Sequence, residues 1–124
     1  MAQVISSFSS DRSFIVLYYQ MSHGLLLFRS RRTTDTETRV DVLIHDVRAS
    51  ELRYWFDGIN IQEVGVDYLG PFASRPKQMV ERGNRIYELS GGGWNGFIVG
   101  GIMQLHEDIG WPMEKSALLD FEFP

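Results

Sequence analysis

The sequence contains no cysteine. Disulfide bonds, thiolate metal sites and cysteine nucleophiles are therefore excluded. A chain without these cross-links must be held together by its own hydrophobic core. The arrangement of apolar residues along the sequence is thus the main guide to the fold.

An excess of positive charge and long apolar runs are also missing. The formal net charge at pH 7 is −4, whereas general nucleic-acid binders and proteins that adhere to anionic lipid need a basic face. The N-terminal stretch MAQVISSFSSDRSF has no basic segment followed by an apolar run, and no run is long enough to cross a bilayer. These absences predict a cytoplasmic protein whose partners include neither nucleic acid nor membrane.

Aromatic residues and glycine are well represented instead. Aromatics make up 13% of the 124 residues, and there are 12 glycines. These residue types favour strands and tight turns. The length suits one domain and no repeat or linker interrupts it, so we expect a single domain over residues 1–124.

Two neighbouring segments have the pattern of a β-hairpin. Residues 25–32 begin with the apolar run LLLF and end with the polar run RSRR, and a turn without apolar residues leads to residues 39–47. Val40, Val42 and Ile44 alternate along the second segment, so they share one face of a strand. The pattern predicts an antiparallel pair at the centre of the fold.

Two short helices are predicted after this hairpin, over residues 50–57 and 74–82. In the first, Leu52, Trp55 and Phe56 recur at the spacing of one helical face. The expected fold class is therefore α+β, a single domain dominated by an antiparallel β-sheet with one or two short helices. The residues expected to build the core are Val40, Val42, Ile44, Leu52, Trp55, Phe56, Ile59 and Ile61.

Four residues are candidates for a metal site. Asp41 and His45 share one face of a predicted strand, and His106 and Asp108 share a face of another. If those strands were neighbours, two histidines and two carboxylates would converge, as a metal ion requires. The sequence has no tight ligand spacing such as HxH or HExxH, and the interpretation it favours is surface histidines with no metal or other cofactor.

The glycine-rich segment GGGWNGFIVGG invites comparison with a phosphate-binding loop. Such loops are followed directly by a helix, whereas an apolar β-type run follows here. We therefore expect a hairpin turn, with a bulge or a close backbone approach at Gly100–Gly101. Trp94 is then placed to fold back over the sheet and is a candidate partner-binding residue.

Four arginines cluster at one end of the predicted hairpin: Arg29, Arg31, Arg32 and Arg39. A basic tip on an acidic protein can hold a carboxylate-rich partner or a phosphate. The interpretation that the sequence favours is solubilising charge on an exposed hairpin end, partly neutralised by Asp35 and Glu37. The four arginines are retained here as candidate partner-binding residues.

The stretch from His23 to Glu63 resembles small bacterial domains of uncertain function, including immunity proteins that neutralise polymorphic toxins. It runs through an apolar strand, a polar hairpin, the strand RVDVLIHDV, a short link and the segment GINI. The resemblance covers about a third of the chain and implies a non-enzymatic protein that binds another protein. A basic, nucleic-acid-degrading partner would suit the acidic net charge.

Three interpretations of function therefore remain open from the sequence. The favoured one is a non-enzymatic protein-binding domain, of the immunity type or an assembly protein, that binds another protein or itself through a strand edge. The alternative is a small-ligand- or metal-dependent enzyme built around His45 and His106. The third is a subunit of a larger assembly.

Overall fold

The structure is a computed structural model that describes residues 3–20, 24–31, 33, 37–65, 83–110, 116 and 118–119. In these residues the chain forms nine β-strands and no helix, and every strand pairing is antiparallel. The strands are β1 (Gln3–Ile5), β2 (Ser7–Gln20), β3 (Leu25–Ser30), β4 (Arg39–Ile44), β5 (Ala49–Glu51), β6 (Trp55–Val64), β7 (Arg85–Gly91), β8 (Trp94–Gly100) and β9 (Met103–Asp108).

The α+β prediction is wrong, because the described part of the chain is all-β. The helix predicted over residues 50–57 is replaced by strand β5, a three-residue link and the start of strand β6. Trp55 and Phe56 are 48% and 4% exposed, so they point to opposite sides, as consecutive residues of a strand do. The second predicted helix, residues 74–82, lies outside the described residues.

The predicted hairpin is confirmed as the antiparallel pair of β3 and β4. Every residue of both strands is buried. Val42 and Phe28 are opposite each other on the inner face, whereas Leu43 and Leu27 are opposite each other on the outer face. Both faces of the hairpin are therefore covered, which places it at the centre of the fold.

The sheet curls round on itself through two bent segments. Strand order is β1-β9-β4-β3-β2-β6-β7-β8-β5, so β4 pairs with β9 while β5, which follows β4, pairs with β8. Three backbone hydrogen bonds join the bend between β4 and β5 to the bend between β8 and β9: Gly101 N to His45 O (2.6 Å), His45 N to Ile102 O (3.0 Å) and Arg48 N to Val99 O (2.8 Å). The two halves of the sheet consequently enclose one core.

The bend at Gly100–Gly101 depends on a close approach of two backbones, as the sequence predicted. A Cβ added at Gly100 would lie 3.0 Å from the carbonyl oxygen of His45. That spacing is tighter than side chains normally tolerate. Glycine thus lets the β8–β9 segment turn against the β4–β5 segment.

Aliphatic and aromatic side chains from both halves of the sheet fill the enclosed core. Phe28 and Phe56 meet edge to face, with ring centroids 5.7 Å apart. On the outer face of the hairpin, Leu118 and Leu119 cover the leucines of β3 and β4. The inner cluster comprises Phe14, Leu26, Phe28, Val40, Val42, Ile44, Val47, Phe56, Ile59, Ile61, Tyr87, Leu89, Ile98 and Met103.

Candidate functional site

Three of the four predicted metal ligands lie on two adjacent strands, and the fourth directly follows one of them. Strands β4 and β9 are neighbours, and His106 lies directly opposite Asp41 while Asp108 lies opposite Arg39. His45 follows the end of β4. Adjacency alone does not make a metal site, because the carboxylates must also be available as ligands.

Arginines hold both carboxylates. Arg29 reaches Asp41 with Nε at 2.7 Å from Oδ1 and Nη2 at 2.9 Å from Oδ2. Arg39 forms the same two-pronged contact with Asp108, with both distances 2.9 Å. A planar guanidinium matches the two oxygens of a carboxylate, which makes these pairs strong and specific in geometry. The oxygens that a metal would need are thus occupied by arginine.

The two histidines have separate partners. His45 Nε2 lies 2.6 Å from the amide oxygen Oε1 of Gln104. His106 Nε2 lies 3.3 Å from Asp108 Oδ2, on the carboxylate that Arg39 already holds. In the part of the chain that the structure describes, no group of three or more His, Cys, Asp or Glu side chains is arranged to bind a metal.

The arginine cluster is divided between interior and surface. Arg29 and Arg39 are 0% and 3% exposed, so the sequence was wrong to place them at an exposed tip. Their side chains lie on the covered outer face of the central hairpin, in the ion pairs with Asp41 and Asp108. Arg31 is exposed, and Arg32 lies outside the described residues. Partner binding by this cluster stays a prediction.

Trp94 is held in place by the β7–β8 hairpin. It pairs with Gly91 across the two-residue turn Gly92–Gly93, in which both φ angles are positive (+55° and +78°). Two positive φ angles are typical of the tight turn that joins twisted strands. The indole packs against the core ring of Phe56, with centroids 5.2 Å apart and planes tilted by 49°.

Gly96, two residues after Trp94, is required by the same packing. A Cβ added at Gly96 would lie 2.0 Å from the carbonyl oxygen of Glu51 and 2.9 Å from the Trp94 ring. Any larger residue would clash with both strand β5 and the indole. Glycine at position 96 thus leaves room for Trp94 to lie over the sheet, as expected.

Arg53 and Trp55 complete an exposed surface around Trp94. The guanidinium carbon of Arg53 lies 6.0 Å from the centre of the Trp55 ring and 5.9 Å from that of Trp94. These distances are within the range of cation–π attraction, worth about 0.5–1 kcal/mol each at exposed sites. Arg53, Trp55 and Trp94 are called the aromatic surface below.

A pocket of about 260 Å³ opens between the residues of the aromatic surface, and Asp57 contributes to its lining. Tyr54, beside Trp55 in the sequence, is 75% exposed. The sequence did not reveal that Trp55 joins Trp94 in this surface, because Trp55 was assigned to the core face of a helix. The polar residue Asp57, two positions after Trp55, was the signal that Trp55 lies on the outer face of a strand.

Similarity to known proteins does not indicate what this chain does. In the described residues there is no helix of the length and hydrophobicity that crossing a membrane requires. Comparison of the chain with protein-family models, with curated proteins and with solved structures gave no match. The likeness to immunity proteins is therefore still a prediction.

Proposed function

We propose that this protein is a non-enzymatic protein-binding domain and that the aromatic surface is its binding site. The observation that carries the proposal is the exposure of Trp55, at 48%, beside an arginine that lies near two indole rings. Trp, Tyr and Arg are the residue types that contribute most of the binding energy in protein interfaces.

The aromatic surface is also held rigid before any partner arrives. Trp94 packs on the buried ring of Phe56, and the backbone of Trp55 pairs with Ile15 of β2. Binding then requires little further ordering of these side chains, and a smaller entropy loss favours affinity. Rigid aromatic anchors on a sheet are suited to a protein surface with a complementary cleft.

The competing proposal of a metal-dependent enzyme has less support. Its carboxylates, Asp41 and Asp108, are held by arginines, and His45 is bonded to Gln104. A partner protein of basic surface charge suits the net charge of −4, because complementary potentials speed association. A toxin neutralised by this chain or a fellow subunit of an assembly would both fit this description.

Self-association is disfavoured at the two outermost strands of the described sheet. The two outermost strands, β1 and β5, are three residues long each. Short edge strands are one of the means by which proteins avoid edge-to-edge pairing. If the protein binds a second copy of itself, we expect the aromatic surface to form the contact instead.

Site-specific photocrosslinking tests the proposal in cells. Benzoylphenylalanine replaces either Tyr54, next to the aromatic surface, or Tyr19, an aromatic residue of β2 that is 50% exposed. We expect a discrete adduct from position 54 that mass spectrometry identifies as one protein, and none from position 19. Adducts of equal yield at both positions, or none at position 54, would contradict the proposal.

The affinity of the identified partner then measures the contribution of the aromatic surface. Trp55→Ala is expected to weaken binding by about 2 kcal/mol or more, or roughly thirtyfold in Kd. Tyr19→Ala, with a similarly exposed aromatic side chain, is the matched control and should bind as the wild type does. If the adduct is the protein itself, light scattering should show a dimer that Trp55→Ala dissociates.

A further inference from the structure

Arg53 occupies a position beside two indole rings that suits a positively charged group. Its guanidinium carbon lies 6.0 Å from the centre of the Trp55 ring and 5.9 Å from that of Trp94. The face of an indole attracts a cation, and aromatic rings that converge on one point bind ammonium and guanidinium groups. The rings of Trp55 and Trp94, called the indole cage below, therefore form a cation site that Arg53 fills in the free protein.

Arg53 has no salt bridge that anchors it in the indole cage. It is exposed and lies in the three-residue link between β5 and β6. None of the carboxylates among the described residues forms an ion pair with its guanidinium. Since cation–π contacts at exposed sites are weak, the side chain can leave the rings without breaking an ion pair.

Asp57 supplies a negative charge in the same pocket that Arg53 does not use. Asp57 is exposed and lines the pocket of about 260 Å³ together with both indoles. Its Oδ1 accepts a hydrogen bond from Ser13 Oγ at 3.0 Å. In the part of the chain that the structure describes, no arginine, lysine or histidine pairs with this carboxylate. A cation that enters the pocket from outside can thus gain an ion pair that Arg53 lacks.

We propose that the partner protein inserts a cationic side chain, arginine or lysine, into this pocket and displaces Arg53 from the indole cage. This inference rests on the proposed function, because it names the group that a partner brings to the aromatic surface. The net charge of −4 favours the approach of a basic partner. The pocket is smaller than the roughly 300–1,000 Å³ of sites for drug-sized ligands, so it suits a single side chain.

Competition from Arg53 should lower the affinity for the incoming cation. A site that is open in only a fraction of the molecules binds its ligand more weakly by that fraction. Removal of the Arg53 side chain should therefore strengthen the binding of a cation, whereas an arginine that held an anion would have the opposite effect. The sign of this change is what distinguishes the two roles of Arg53.

Three small probes that differ in charge test the preference of the pocket: the N-acetyl amides of arginine, glutamine and glutamate. Each is titrated into the full chain at fixed pH and ionic strength, and NMR follows the indole N–H signals of Trp55 and Trp94. We expect saturable shifts with the arginine derivative. The neutral and acidic derivatives should bind more weakly by about threefold or more, the equivalent of one exposed cation–π contact.

Variants at position 53 test the competition. Arg53→Ala empties the indole cage and should bind the arginine derivative about threefold or more tightly than the wild type does. Arg53→Lys keeps a cation beside the rings and should bind it nearly as the wild type does. The matched control is Arg48→Ala, which removes an arginine that is 56% exposed and paired with Asp46. This control should leave the affinity unchanged.

Asp57→Asn tests the ion pair with the incoming cation. The amide keeps an acceptor for the hydroxyl of Ser13 but loses the charge, so affinity for the arginine derivative should fall by about threefold. Asp46→Asn is the control, because it removes a carboxylate that is 51% exposed at the bend between β4 and β5. It should bind the derivative as the wild type does.

Two results would overturn this inference. One is tighter binding of the glutamate derivative than of the arginine derivative, with loss of that binding in Arg53→Ala, since Arg53 would then hold an anion. The other is the absence of saturable shifts with the arginine derivative in both the wild type and Arg53→Ala. A single partner crosslinked at position 54 would still support the proposed function in either case. Conversely, cation binding without any crosslinked protein would refute the partner and hence this inference as well.

Discussion

Arg29 and Asp41 lie opposite each other on strands β3 and β4 and form a two-pronged ion pair in the interior of the protein. Their side chains are 0% and 1% exposed. Removing such charges from water costs several kcal/mol per ion, which only close and complete pairing offsets. A slip of one residue between the strands would place Arg29 opposite Val40 or Val42 and separate it from Asp41, so the pair also specifies the register of the central hairpin.

Removing one member of this pair should destabilise the fold strongly. Asp41→Ala leaves the buried guanidinium of Arg29 without its counter-ion, and we expect a loss of about 3–5 kcal/mol in the free energy of unfolding. Urea denaturation followed by circular dichroism measures it. The matched control is the double variant Arg29→Met with Asp41→Leu, which should lose less than Asp41→Ala alone. A loss below about 1 kcal/mol for Asp41→Ala would contradict the pairing.

Gly96 should be intolerant of a side chain. In Gly96→Ala the new methyl group meets the Glu51 carbonyl oxygen and the Trp94 ring, and we expect a loss of stability at or above the ~1–3 kcal/mol typical of overpacking. The NMR signal of the Trp94 indole N–H should also shift. Gly65→Ala is the control, because a Cβ there meets nothing within 4 Å. Its stability should stay within about 0.5 kcal/mol of the wild type, and equal losses in the two variants would contradict the close approach.

The antiparallel hairpin at the centre of the fold was predictable because its signal is local. Val40, Val42 and Ile44 alternate over consecutive positions and face the core. The segment that follows the hairpin was wrongly predicted as a helix, and this error also has a physical cause. Leu52, Phe56 and Ile59 all contact one core, yet their spacing in the sequence is that of a helix. Gly58, with φ at +83°, interrupts the alternation of β6 and brings Phe56 and Ile59 to the same side.

The candidate site was predictable only in part, because it depends on pairings between distant strands. The sequence predicted that His45 and His106 belong to two different strands, but it did not show whether those strands are neighbours. In the structure β4, which ends just before His45, and β9, which contains His106, are adjacent. The sequence did not reveal that Arg39 reaches Asp108, since those residues are 69 positions apart. Trp94 was singled out by its glycine-rich surroundings, whereas Arg53 becomes relevant only when strands β6 and β8 are known to bring two indoles to its side.

Adjacent substitutions in β6 should differ sharply in stability. Phe56→Ala removes a ring from the enclosed core and should cost about 3–5 kcal/mol. Trp55→Ala removes a ring that is 48% exposed and should cost less than about 1 kcal/mol. Urea denaturation of both variants checks the difference. The helix that the sequence predicted would bury both rings, so similar large losses would favour that helix over the strand.

Asp108 has an environment that favours its charged form. Burial raises the pKa of this carboxyl, but hydrogen bonds from Arg39 and from the backbone N–H of Gly110, with the positive charges of Arg39 and His106, lower the pKa below its ordinary value overall. The Gly110 N–H lies 3.0 Å from Oδ1. The folded state therefore holds this carboxylate ionised at a pH where the unfolded chain already binds a proton.

The contribution of Asp108 to stability should therefore disappear in acid. A carboxyl whose pKa is lowered on folding stabilises the protein above its unfolded pKa of about 3.9, and the stabilisation is lost as the pH falls through the lower folded pKa. We expect the difference in unfolding free energy between the wild type and Asp108→Asn to be largest near neutral pH and to shrink as the pH falls below about 4. Urea denaturation at a series of pH values measures this difference. A difference for Asp108→Asn that stays constant down to pH values well below the unfolded pKa would show that the Arg39 pair does not hold the charge.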